Sequence, residues 1–254
     1  MLRYRRPAQS KTESKFIRKY LDSIPGMTED NYGNRFLACP GSKVMISCHT
    51  DTVHRLPGMQ RITVDKGIAS LDPKELTSNC LGADDTAGIY TALRMIEAGV
   101  RATFIFHRDE EIGGKGSSWL ADKYPEWIES FDICLALDRR GTQDIITSQW
   151  TGDCASSEFA ASLGDALDMG HMEADGIFTD SANYAHLIPE CSNISIGYQF
   201  EHTVKETLDL DYLDRVIESL IKVDWTALDV VRDPELDNWQ DEFGWNDYDK
   251  WLWK

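Results

Sequence analysis

The chain has 254 residues, 43 of them acidic and 26 basic, for a net charge of −17. That balance argues against a nucleic-acid-binding face, and no apolar run approaches the ~18 residues of a membrane span. With 42% hydrophobic and 27% charged residues, the composition is that of a soluble globular protein large enough to bury a core.

The start, "MLRYRRPAQSK", is basic with no apolar stretch behind it, so it does not read as a secretory signal. "SKFIRKYLDSIPG" spaces Phe16, Ile17, Tyr20 and Leu21 as one helix face and stops at Pro25-Gly26. "RFLACPGSKVMISCH" predicts two short strands around a Pro-Gly turn, and "RITVDKGIASL" a hairpin about Lys66-Gly67. "DDTAGIYTALRMIEAG" predicts a helix closed by Gly99, and "ATFIFH" a buried strand. "GSSWLADKYPEWIESF" is helical with a break at Pro125. "ICLALD" and "DIITSQ" are further strands; "ASSEFAASLGDALDMG" is a helix stopping at Gly170. "DSANYAHLI" predicts a short helix, "CSNISIGYQF" a strand, and "DLDYLDRVIESLIKVDWTAL" a long amphipathic helix. The end, residues 234–254, is acidic and rich in tryptophan; it either packs back on the body or serves as an interaction segment.

Helices alternating with short apolar strands predict an α/β three-layer sandwich with a mixed, largely parallel central sheet. No Gly/Ser- or Pro-rich linker divides the chain, so one domain over residues 1–254 is expected. The six cysteines are scattered and form no C-x-x-C, as expected of reduced thiols in a cytoplasmic protein.

Polar residues stand where the apolar strands end. "VMISC" ends in His49-Thr50-Asp51, "ATFIFH" in Arg108-Asp109-Glu110-Glu111, "ICLAL" in Asp138, and "NISIGYQF" in Glu201-His202; "CLGADDTAG" sets Asp84 and Asp85 at a helix start. Sheets of this class gather ligands at the carboxyl ends of their strands. Imidazoles with carboxylates suit a divalent metal: zinc, and also manganese or cobalt. Each segment has a plainer reading by itself. Asp84-Asp85 could be a helix cap, Glu110-Glu111 a solvated pair, and His202 structural. "GGKGSS" lacks phosphate-loop spacing. The five together, in order, carry the metal reading.

That ordered set resembles the co-catalytic zinc exopeptidases: aminopeptidases of the bacterial leucyl type, peptidase T, and the carboxypeptidase G and amidohydrolase relatives. "SCHTDTV" is similar to their H-x-D strand end, "LGADDTAG" to their bridging-aspartate motif, "DEEIGGKGS" to their E-E-x-G motif, "LALD" to the later aspartate, and "TDSANYAHLIPECSNISIGYQFEHTVKETLDLDYL" to their closing segment. The match spans about Val44 to Leu213. The resemblance implies two divalent ions, one on His49, Asp84 and Asp138 and the other on Asp84, Glu111 and His202. It further implies Glu110 as general base, Asp51 as the residue that orients the His49 imidazole, and a cis peptide between Asp84 and Asp85. The chemistry would then have a metal ion stabilise the oxyanion, with Tyr198 or Tyr184 as a helper if they are not core aromatics. Only 63 residues separate Asp138 from His202, too few for the lid domain of many relatives. The implied substrates are short peptides, cleaved as by an aminopeptidase, or alternatively N-acyl amino acids or cell-wall-type amides. A non-catalytic binding protein using its tail is the reading from another class. His54 lies beyond the matched motif and is expected at the surface or rim.

Overall fold

The computed structural model describes residues 1–236. Of the acidic, tryptophan-rich segment 234–254, residues 237–254 lie outside the described residues.

The centre of the molecule is four parallel strands, in spatial order Glu190–Ser195, Ile133–Arg139, Val44–His49 and Thr103–His107. Val44–His49, Thr103–His107 and Glu190–Ser195 are buried along their whole length. Antiparallel strands finish both margins. Arg35–Leu37 and Thr28–Glu29 lie beyond Thr103–His107, while Asp144–Gln149 and Gly152–Asp153 lie beyond Glu190–Ser195. Met172–Asp175 pairs parallel to Asp144–Gln149, which completes a nine-stranded mixed sheet.

Alternation along the strands buries both faces. Val44, Ile46 and Cys48 join one apolar cluster with the helices Lys11–Tyr20, Ala83–Glu97, Ser157–Leu167 and Leu210–Lys222. Met45, Ile105 and Cys134 join another with Lys115–Lys123 and Pro125–Ile128. The result is helices, sheet, helices: the three-layer sandwich expected. Chain order sets the site. From Val44–His49 the chain first adds Thr103–His107 on one side, then Ile133–Arg139 on the other. The order reverses beside the strand that ends in His49, and a crevice opens at the carboxyl ends of strands at such a reversal.

The predicted hairpin forms, Ile62–Asp65 on Ile68–Leu71, with Lys66 and Gly67 both at positive φ as a tight two-residue turn needs. It belongs to a separate four-stranded antiparallel sheet with Thr207–Asp209 and Tyr198–Gln199. That corrects one expectation. "CSNISIGYQF" is not one strand, because the backbone turns at Gly197 (φ +95°) and carries Tyr198–Gln199 out of the large sheet into the small one. The last helix stops at Lys222, since Val223 is extended, so "VDWTAL" lies past its end. "DSANYAHLI" yields a five-residue 3-10 helix, Asp180–Tyr184.

His54 is buried, at 3% exposure, rather than at the rim. Its ring bonds Thr52 Oγ1 (2.7 Å), Gln60 Oε1 (2.9 Å) and Cys80 O (3.1 Å) and lies against Gly82, so it ties the segment after His49 to the segment before Asp84. Burial takes its imidazole down to about 4. A histidine depressed in the folded state keeps its full contribution above its unfolded value of ~6.5 and loses it as pH falls toward the folded value. Wild type should therefore lose stability relative to His54→Gln between pH 6.5 and about 4, by up to about 3 kcal/mol. Denaturant melts of the two proteins across that range check this; parallel curves would contradict it.

Candidate active site

All five polar segments reach one crevice. His49 closes its strand at 1% exposure. Its Nε2 lies 2.9 Å from Asp84 Oδ1, 3.6 Å from Asp138 Oδ1 and 3.9 Å from Glu110 Oε2. The other Asp84 oxygen, Oδ2, lies 3.1 Å from His202 Nε2, and that nitrogen is 3.2 Å from Glu111 Oε2. Asp84 thus faces two imidazoles, one through each oxygen. Ligand atoms of His49, Asp84 and Glu111 lie within 4.8 Å of one another, as do those of His49, Asp85 and Asp138.

The helix that begins at Ala83 owes its entry to local geometry. The Asp84–Asp85 peptide is cis, and both residues have non-helical torsions. Asp85 Oδ1 accepts the Gly88 N–H (2.8 Å) and so caps the helix, while Oδ2 accepts the His49 N–H (3.1 Å). The capping reading therefore holds for Asp85, and Asp84 is left facing the crevice. Gly88 is required here, since a Cβ would collide with Leu137 O and the Asp85 carboxylate.

Asp51 lies past the strand end. Its Oδ1 is 3.5 Å from His49 Nδ1, and its two oxygens accept the N–H groups of Glu110 and Glu111, each at 3.1 Å. It thereby faces the imidazole and also ties down the Glu110-Glu111 turn. Glu110 and Glu111 are not a solvated pair; their side chains are 11% and 6% exposed. Asp138 accepts Thr179 Oγ1–H (2.8 Å) and Tyr198 Oη–H (3.1 Å). Tyr198 is buried on Asp138, and Tyr184 is buried beside His107, with Oη 3.3 Å from its Nε2. Both are core aromatics, as the plainer reading had it.

Three contributors carried no signal in the sequence. Glu206 accepts the N–H groups of four consecutive residues, Leu81, Gly82, Ala83 and Asp84, and burial and the Asp84 charge push its carboxyl up to about 7. Asp180 accepts from Ser117 and keeps Oδ2 buried without a partner. Arg6, fully buried, donates from Nε to Thr50 O (2.7 Å) and from Nη1 to Thr86 Oγ1 (2.9 Å), beside Asp85. Their partners lie far away in the chain, so spacing could not have found them.

The electrostatics point to cations. Burial pushes Glu110 well above the usual carboxylate range, Asp138 upward, and Glu111 up to about 7. Burial alone would lower His49, yet the charges of Asp138 and Glu110 take it well above its ordinary value. Hydrogen bonds to Asp84 and Glu111 raise His202 to about 11. Glu111 Oε1 is buried and has no partner. An array short of positive charge, with imidazole and carboxylate donors at mutual distances of 3–4 Å, fits divalent ions in chemistry and spacing.

No protein-family model matches the chain, and no curated protein matches it. Solved structures do. An aminopeptidase PepT from Bacillus cereus superposes with a TM-score of 0.70 at 14% identity, over 87% of this chain and 94% of that one. A tripeptidase from Staphylococcus aureus gives 0.69 at 12% identity over 87% and 94%, and the Pyrococcus horikoshii TET1 peptidase 0.59 at 14% over 83% and 92%. The chain shares the fold of these peptidases. The fold thus agrees with what the motifs resembled, and the crevice lies where this fold gathers its strand ends. Among the described residues, no helix is long and apolar enough to cross a membrane.

A histidine must be neutral to hold an ion, and His49 and His202 are both raised above their ordinary value, so an ion taken up between them would expel protons. Zinc titration of the ion-free protein should release at least about two protons per chain, from the two histidines, with any on the raised carboxyls in addition. Calorimetry in two buffers of different ionisation enthalpy measures the number; heats that do not depend on the buffer would contradict it.

Proposed function

We propose that the chain is a metal-dependent exopeptidase, an aminopeptidase acting on short peptides, built as a single catalytic domain and working in the cytoplasm. The observation that carries this reading is Asp84 facing His49 through one oxygen and His202 through the other, with Glu110 and Glu111 alongside. The aminopeptidase and tripeptidase names of the structural neighbours support the class. All six cysteines are free, in keeping with a reducing compartment.

In this reading His49, Asp84 and Asp138 hold one ion and Asp84, Glu111 and His202 the other, with zinc the first candidate and manganese or cobalt in its place. Bound divalent ions would favour hydroxide over water near neutral pH and polarise the scissile carbonyl. The remaining work falls to the chain's own groups. Asp51, facing Nδ1 of His49, sets the tautomer that leaves Nε2 free to bind. Tyr198 and Thr179 hold the Asp138 carboxylate in one orientation.

Glu110 handles the proton. It takes one from the attacking water and passes it to the leaving amine. Its burial suits this, because a carboxylate raised toward the working pH both accepts and returns a proton readily. The helix-facing Asp85 has both oxygens engaged by amides and takes no part in proton transfer.

Glu110→Gln should lower turnover of dipeptides by about 10²–10⁴-fold while the purified protein keeps its metal content. Activity close to wild type in that variant would defeat the mechanism. Parallel assays on free-amine peptides and on N-acyl amino acids, with zinc, manganese and cobalt in turn, separate the aminopeptidase reading from an amidohydrolase.

A further inference from the structure

The segment before Lys43 lies outside the motif match, yet it touches the crevice from behind. Asp109, next to Glu110, is 2% exposed and has φ +64°. A non-glycine residue in that region is strained and persists only when its surroundings hold it. Two side chains hold it here. Gln9 Nε2 and Tyr32 Oη both donate to Asp109 Oδ2, each at 2.8 Å.

The same segment pins the rest of this loop. Asn34 Oδ1 accepts the Arg108 N–H (3.0 Å) and its Nδ2 donates to Gly116 O (3.1 Å), clasping the loop at both ends. Glu13, at 0% exposure, accepts from Arg108 Nη2 (2.7 Å) and Nε (3.2 Å), and also from Thr50 Oγ1 (2.7 Å). Thr50 lies between His49 and Asp51, so one buried carboxylate joins the two strand ends that bear four of the proposed site residues.

We infer that residues 9–34 act as a positioning brace for the loop Arg108–Gly116, with Gln9 and Tyr32 holding Asp109 so that Glu110 and Glu111 face the metal centre. The inference rests on the roles proposed for those two glutamates. Partners behind ligands typically govern metal affinity or activity by 10–100-fold, because they fix the ligand's direction. Neither Gln9 nor Tyr32 belongs to the apolar core, and the Tyr32 ring keeps its contact with Trp119 (centroids 5.9 Å apart) when only the hydroxyl is removed.

The test is the double variant Gln9→Ala/Tyr32→Phe, with Tyr32→Phe alone as the milder form. Cobalt(II) titration, followed by visible absorption, should show affinity weaker by about tenfold in the double variant. At saturating metal, kcat on a dipeptide should fall about tenfold while KM stays within about twofold. The metal-free protein should remain folded with a melting point lowered by only a few degrees, since Asp109 loses two donors, and Tyr32→Phe should show part of each effect. Wild-type cobalt binding and kcat in the double variant would overturn the brace. So would losses that disappear at temperatures well below the variant's melting transition, since that marks a plain folding contact. A wild type that binds cobalt but cleaves no peptide defeats the proposed activity alone, and the titration still decides the brace. A wild type that takes up no cobalt sinks both.

Discussion

Carboxylates brought together out of water repel one another and lose hydration, so such an array needs positive charge. Asp84, Asp138, Glu110 and Glu111 crowd into one crevice with side chains no more than 11% exposed. The fixed counter-charge near them is small. Arg6 is buried beside Asp85, and the two imidazoles are pushed toward their protonated forms by the carboxylates they face. Without ions the crowding favours protons on the histidines and on the raised carboxyls. Two divalent ions would replace those protons and satisfy the same oxygens at once. Much of the surrounding structure keeps this array from collapsing or turning away: the four amides on Glu206, the amides that Asp51 accepts, and the capping bonds of Asp85.

The topology is what makes such crowding possible. Parallel strands buried on both faces keep their charged groups to their ends, and here the carboxyl ends converge because the strand order reverses beside Val44–His49. Ile133–Arg139 delivers Asp138 from one side and Thr103–His107 delivers the Glu110-Glu111 loop from the other. The helix from Ala83 enters above, allowed to approach because Gly88 has no side chain to strike Leu137 O. His202 comes last, at positive φ, from the turn between Tyr198–Gln199 and Thr207–Asp209 of the small sheet.

What the sequence made legible was local. His49 and Asp51 stand two residues apart at the end of one apolar run, Glu110 and Glu111 follow another, and periodicity placed the central strands and most helices near their observed bounds. What escaped was set by distant partners. His54 reads as a rim residue until Gln60 and Cys80 O close around it. Glu206 sits more than a hundred residues from the amides it holds, and Glu13 nearly as far from Arg108, so no pattern along the chain announces either. "CSNISIGYQF" has continuous strand character, and only the need to feed a second sheet explains the turn at Gly197. The last helix stops short because Val223 turns extended, which its apolar spacing does not foretell.

The two flanks of Asp84 differ in a way that bears on how such a centre works. His49 is sealed, at 1% exposure, with Asp51 opposite one ring nitrogen and its own N–H held by Asp85. His202 is 49% exposed and sits on a turn, with its ring against Asp84 and Glu111. A donor locked on all sides loses little freedom on binding an ion, while a donor on an exposed turn loses more, so the two flanks differ in preorganisation. The exposed flank is also the side from which the crevice meets solvent. The glutamates beside it hang on a loop whose own strand has already ended at His107, and the contacts that stiffen that loop come from Asp51 in front and from the first 34 residues behind. Where a ligand is open to water, the scaffold around its neighbours has to supply the rigidity that burial supplies to His49.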